Sequence, residues 1–71
     1  MRQKFIEFWH NNQVQNQKEL YDNATSFLIK NSSIKLIGKG TKDIVFSIWD
    51  FEGALLYIEL CGGDCNYRFL N

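Results

Sequence analysis

The sequence has no proline, one histidine and two cysteines in 71 residues, and it carries no charge surplus, because eight lysines and arginines balance eight aspartates and glutamates. That balance removes the basic field on which non-specific nucleic-acid binding depends. It equally excludes the strongly acidic surface of a nucleic-acid mimic. No stretch approaches the ~20 apolar residues of a membrane-spanning helix. The opening MRQKFIEFWHNNQ has two cations but no apolar run of signal-peptide length. A cytoplasmic setting is therefore expected, where thiols stay reduced. Internal repeats and linkers are also missing. Asn (seven), Ile (seven) and Lys (six) are heavily used. Together with the missing proline, this skew is what an AT-rich genome writes and fits a low-GC bacterium or its phages.

What is present is the composition of a folded domain, 45% hydrophobic and 15% aromatic. A chain this short buries only about 60% of the surface its unfolded form exposes, so the core is thin and leaves no room for a deep catalytic cleft. Phe5, Phe8 and Trp9 share one helical face. After HNNQ, Asn12 with Gln15 reads as a capping box for a second helical stretch. Its apolar side carries Val14, Leu20, Tyr21, Ala24, Phe27 and Leu28, and Asn31 reads as a left-handed C-cap.

Beyond residue 32 the period becomes two. SIKLIG (33–38), DIVFSIWD (43–50), ALLYIEL (54–60) and NYRFLN (66–71) read as strands joined by KGTK, DFEG and CGGD. The expectation is an α+β fold for a single domain, residues 1–71. An N-terminal helical segment over 2–31 (one helix or two, with a break near 11–13) packs on one face of a four-stranded antiparallel β-meander over 33–70. The expected core is Leu20, Ala24, Phe27, Leu28, Leu36, Ile44, Phe46, Ile48, Leu56, Ile58 and Phe69. This places Ile44, Phe46 and Ile48 under the helices. Val45, Ser47 and Trp49 then stand on the outer face beside Leu55, Tyr57 and Glu59.

The motifs with chemical content are weak. In CGGDC, a three-residue loop of Gly62, Gly63 and Asp64 sets Cys61 opposite Cys65, close enough for a disulfide. A reduced compartment argues for free thiols at a turn instead. A zinc site needs about four ligands, and His10 and acidic side chains alone remain to complete it. No metal and no cofactor are expected. His10 suits the C-terminal end of a helix dipole. GKGTK (38–42) joins two strands, whereas a phosphate loop opens a helix. Asp50 and Glu52 lie in a turn, where burial does not raise a carboxyl pKa.

These exclusions leave a small non-enzymatic protein-binding domain that acts by occupying a macromolecular partner. The expected kind is a phage or mobile-element inhibitor of a bacterial enzyme or defence complex, in the style of anti-CRISPR or toxin-immunity proteins. No motif ties the chain to a family. The expected contact residues are Trp49, Tyr57, Leu55, Val45 and Arg68 on the outer sheet face, with Phe5 and Trp9 on the first helix, because aromatics and Arg dominate interface hot spots. One alternative is a nucleic-acid module stacking bases on an aromatic sheet. Another is a structural subunit that self-associates through its sheet.

Overall fold

A computed structural model describes residues 2–40 and 43–71. Two helices, α1 (Arg2–Asn11) and α2 (Gln17–Asn31), precede four strands, β1 (Ser33–Lys39), β2 (Ile44–Phe51), β3 (Ala54–Cys61) and β4 (Asp64–Phe69). The strands form one antiparallel sheet in the order β1-β2-β3-β4, a meander, and the helices pack on one face of it. The fold is α+β. Part of the turn expected at KGTK, residues 41 and 42, lies outside the described residues.

The helical segment is two helices, and the break is longer than expected. Asn12 does not start α2. It closes α1: its Nδ2 donates to the Phe8 carbonyl at 2.8 Å, and Gln13 Nε2 donates to the Trp9 carbonyl at 2.8 Å. These side chains satisfy carbonyls that the end of a helix leaves without partners. The N-cap of α2 is Asn16, whose Oδ1 accepts from the backbone N–H groups of Lys18 (3.0 Å) and Glu19 (3.3 Å). At the other end Asn31 is still helical. Its Nδ2 donates to the Phe27 carbonyl and Ser32 Oγ to the Leu28 carbonyl, so side chains replace the expected left-handed cap. Ser32 is the extended C-cap residue and leads directly into β1.

The two faces of the sheet are the reverse of the expectation along β2. The loop between β2 and β3 has two residues, Glu52 and Gly53, with φ of 50° and 82°. Positive φ at both positions is the type I′ turn whose twist matches the flanking strands. It sets Phe51 opposite Ala54, and the register Trp49↔Leu56, Ser47↔Ile58 and Val45↔Leu60 follows. Odd-numbered residues of β2 therefore share a face with even-numbered residues of β3. A three-residue loop would have paired them the other way. The β3–β4 turn repeats the device with Gly62 (57°) and Gly63 (94°), setting Cys61 opposite Asp64 and Leu60 opposite Cys65.

The helix-facing side thus carries Ser47, Trp49 and Phe51, then Ala54, Leu56 and Ile58, then Cys65, Tyr67 and Phe69. Phe5, Leu20, Ala24 and Leu28 meet them from the helices and are all buried. The Phe5 ring lies edge-on to Tyr67 (5.0 Å between centroids) and to Phe51 (6.1 Å), and Phe8 stacks on Phe27 at 4.4 Å. Trp49 is completely enclosed, and its indole N–H donates to the buried Ser47 hydroxyl at 2.7 Å. Of the expected core, Leu20, Ala24, Leu28, Leu56 and Ile58 are buried, with Phe27 and Phe69 packed against them. Leu36, Ile44, Phe46 and Ile48 are not in it. Leu36 is exposed and the other three are half-buried on the outer face.

Candidate protein-binding surface

Two surfaces are left apolar by this arrangement. The first is β1, an edge strand exposed along nearly its whole length. The helices crowd toward β3 and β4: α2 packs most closely there, and the α1 rings reach Tyr67 and Phe69. Ile34 and Ile37 share the helix-facing side with their partners Trp49 and Ser47, yet they remain 46% and 60% exposed. Ile29 on α2 is 59% exposed. A β-bulge between Ile34 and Leu36 turns Lys35 toward Asp50, with 3.7 Å between their charged groups. Past the bulge the ladder is regular. Gly40 N–H donates to the Ile44 carbonyl at 2.8 Å, so by antiparallel alternation the backbone groups of Gly38 and Leu36 also face β2. Those of Ile37 and Lys39 point away from the sheet and are open to another strand.

The second surface is the outer face of the sheet. Its rows are set by the pairing: Asp50 and Leu55; Leu36, Ile48, Tyr57 and Arg68; Gly38, Phe46, Glu59 and Asn66; Ile44, Cys61 and Asp64. Apart from Asp50 at its rim, the β1–β2 half is apolar, whereas the β3–β4 half holds Arg68, Glu59 and Asp64. A ladder of flat groups crosses the middle. The Phe46 ring covers the bare Cα of Gly38, where a Cβ would come within 2.7 Å of it. Phe46 stacks on Tyr57 (5.8 Å, 23°), and the Arg68 guanidinium lies 4.9 Å over the Tyr57 ring. The Tyr57 hydroxyl donates to Glu59 Oε2 at 2.9 Å. Burial first, and then the Glu59 hydrogen bond and charge, push the Tyr57 pKa up, so the phenol stays a neutral donor.

Tyr57, Leu55 and Arg68 therefore stand where sequence reasoning put them. The other four expected contact residues form no outward-facing group with them. Trp49 and Phe5 are fully buried, Val45 faces the helix side, and Trp9 packs half-buried on Tyr67 at 4.7 Å. Phe46, Ile48 and Leu36 take their place on the outer face, and Ile29, Ile34 and Ile37 form the exposed group around β1. The parity of β2 is set by the Glu52-Gly53 turn, for which Gly53 was the one signal in the sequence; the Gly62-Gly63 pair fixes only the β3–β4 hairpin.

The groups with chemical potential are dispersed. Cys61 and Cys65 lie on opposite faces of the sheet and both thiols are free, so the expected opposition across the loop is not present. Burial, with a smaller contribution from the Glu59 charge, pushes the Cys65 thiol up to about 12, which makes it a poor nucleophile. Among the described residues no group of His, Cys, Asp and Glu is placed to hold a metal ion, and no helix is long and apolar enough to cross a membrane. A shallow pocket of about 170 Å³ is lined by Tyr57, Glu59, Asn66, Tyr67 and Arg68. That is below the roughly 300 Å³ at which small-molecule sites begin. No family profile, no curated protein and no solved structure matches the chain.

Proposed function

We propose that the chain is a non-enzymatic protein-binding domain that acts by occupying a macromolecular partner, with β1 as the contact strand. The observation that supports this most directly is an edge strand with outward-facing backbone groups at Ile37 and Lys39, flanked by the exposed side chains of Ile29, Ile34, Leu36 and Ile37. A partner strand laid along β1 gains main-chain hydrogen bonds from the edge and specificity from the alternating side chains. The bulge and the two lysines keep the edge from pairing indiscriminately. Small size, dispersed reactive groups and AT-rich composition support the finer reading, a phage or mobile-element inhibitor of a bacterial enzyme or defence complex.

Capture experiments from a low-GC bacterial lysate test the strand. Lys39→Pro removes one outward N–H and leaves the β1–β2 ladder intact, since proline is tolerated where an edge N–H faces solvent. Ile37→Lys places a charge in the apolar contact. The same protein should be retained by the parent and lost by both variants. Retention by both variants overturns the β1 reading. Retained nucleic acid that is released as salt rises overturns protein binding itself.

A further inference from the structure

We infer that the outer sheet face is a homodimer interface, occupied by a second copy of the chain packed sheet to sheet. This surface is the outer face of the sheet and not the free backbone edge of β1; the two share only the Leu36 side chain, and the inference does not rest on the strand-addition reading.

The pattern of β2 is the starting point. IVFSIWDF places Ile44, Phe46 and Ile48 on the outer face and Val45, Trp49 and Phe51 on the helix side. An antiparallel strand with one wet face alternates apolar and polar, and a near-continuous apolar run belongs to a strand covered on both faces. The helices cover one face. Among the described residues nothing covers the other, where Leu36, Ile44, Phe46, Ile48, Leu55 and Tyr57 stand.

Charge placement selects the occupant. Consider a two-fold axis lying between two such sheets and running across the strands. It keeps each strand over its own counterpart and exchanges the rows end for end. Leu36 then lies over Gly38 of the second copy, a projecting side chain over a position with none, and Ile48 lies over Phe46. On the other half, Glu59 of the second copy comes to lie over Tyr57, directly beside Arg68. Asp64 of the second copy falls over β4 itself, one row along the strand from Arg68. Symmetry makes each of these contacts twice. Apart from Asp50 at the rim, apolar half meets apolar half, and each Arg68 has two carboxylates of the other chain as neighbours, one across the sheet and one along the strand, which is self-complementarity of the isologous kind. The Lys35–Asp50 pair remains at the rim.

The extent of the face bounds the affinity. Four strands ~4.8 Å apart and about seven residues long at ~3.3 Å per residue span roughly 450 Å² of sheet per copy. The total is close to the ~1,000 Å² at which specific interfaces begin. A dimer of modest, concentration-dependent stability follows.

Sedimentation equilibrium across a concentration series reads the mass directly. The parent should move toward twice its 8.4 kDa as concentration rises. Arg68→Glu should weaken association at least tenfold, since it replaces the cation by a carboxylate that faces Glu59 and Asp64 of the other chain. A Glu59→Arg, Asp64→Arg double variant should weaken it likewise, by making that half uniformly basic. Mixed one to one, the two variants should form a heterodimer, one chain acidic on this half and the other basic. Restored association shows that both variants are folded. A parent that stays monomeric at every concentration overturns the inference. So does a dimer indifferent to Arg68→Glu, or a mixture that fails to associate. A dimer abolished by Lys39→Pro overturns it too, placing self-association on β1.

Discussion

The reversal of the sheet faces makes a sharp demand on two side chains of β2, Trp49 and Phe46. Trp49 is enclosed on all sides, and its N–H is the hydrogen-bond partner of the buried Ser47 hydroxyl. Trp49→Ala removes the largest fully buried side chain of the core and leaves a cavity, at about 3–5 kcal/mol. Leaving Ser47 Oγ without its donor adds about 1 kcal/mol. Natural domains hold roughly 0.05–0.15 kcal/mol per residue, so a chain of this length has about 4–10 kcal/mol in all. The substitution therefore consumes half or more of the total stability. Phe46 is half-buried on the outer face, where its ring covers Gly38 and stacks on Tyr57. Losing that stack and a partial burial costs about 1–2 kcal/mol.

Urea unfolding followed by far-ultraviolet circular dichroism separates the two, at a protein concentration low enough to keep the chain monomeric. Phe46→Ala should give a cooperative transition with a modestly lowered midpoint and an unchanged slope. Trp49→Ala should lose half or more of the parent's unfolding free energy, with a far lower midpoint than Phe46→Ala. The reasoning is refuted if Phe46→Ala is the more destabilised of the pair. That outcome would mean that Phe46, not Trp49, faces the helices.

Two further consequences concern the turns and the thiols. Glu52 occupies a left-handed position (φ 50°) that asparagine adopts more readily, so Glu52→Asn should raise the urea midpoint by about 0.5 kcal/mol equivalent. The carboxylate makes side-chain contacts of its own, among them Lys4 at 4.0 Å, so Glu52→Gln is the reference that loses the charge alone, and an Asn variant less stable than the Gln variant would refute the turn assignment. The Cys65 pKa lies above its ordinary value in the folded chain, so the unfolded chain loses that proton first as pH rises. The thiol's contribution to stability is then complete below about pH 9 and fades toward pH 12, which denaturation midpoints measured at rising pH will show, and Cys65→Ala should flatten the decline.

The element order was legible in the sequence because it rests on periodicity. Phe5, Phe8 and Trp9 repeat at helical spacing, the period shifts to two after Ser32, and glycines mark the hairpins. The helix boundary slipped because Asn12 and Asn16 are equally good capping residues by type. The choice between them depends on what α1 does with its last carbonyls, and Asn12 is committed there. The face assignment failed for a different reason. A hairpin with a two-residue loop pairs odd with even positions, and one more loop residue inverts the pairing, so a single residue of turn length moves every side chain to the other face. DFEG is compatible with both lengths, since Glu at a left-handed position is uncommon and gives little warning.

Ordinarily the composition of the strands would have corrected that slip, because a one-sided sheet has only one apolar face to bury. Here it could not. β2 offers Ile44, Phe46 and Ile48 on one side and Val45, Trp49 and Phe51 on the other. Either set would serve as a core, and only the serine–tryptophan hydrogen bond and the turn parity tell them apart. A strand with two usable core faces is ambiguous in an isolated two-layer domain. It is consistent in a four-layer assembly, helices–sheet–sheet–helices, where both faces are interior. The residue pattern that misdirects the assignment of the core is thus the same pattern that asks for a second sheet.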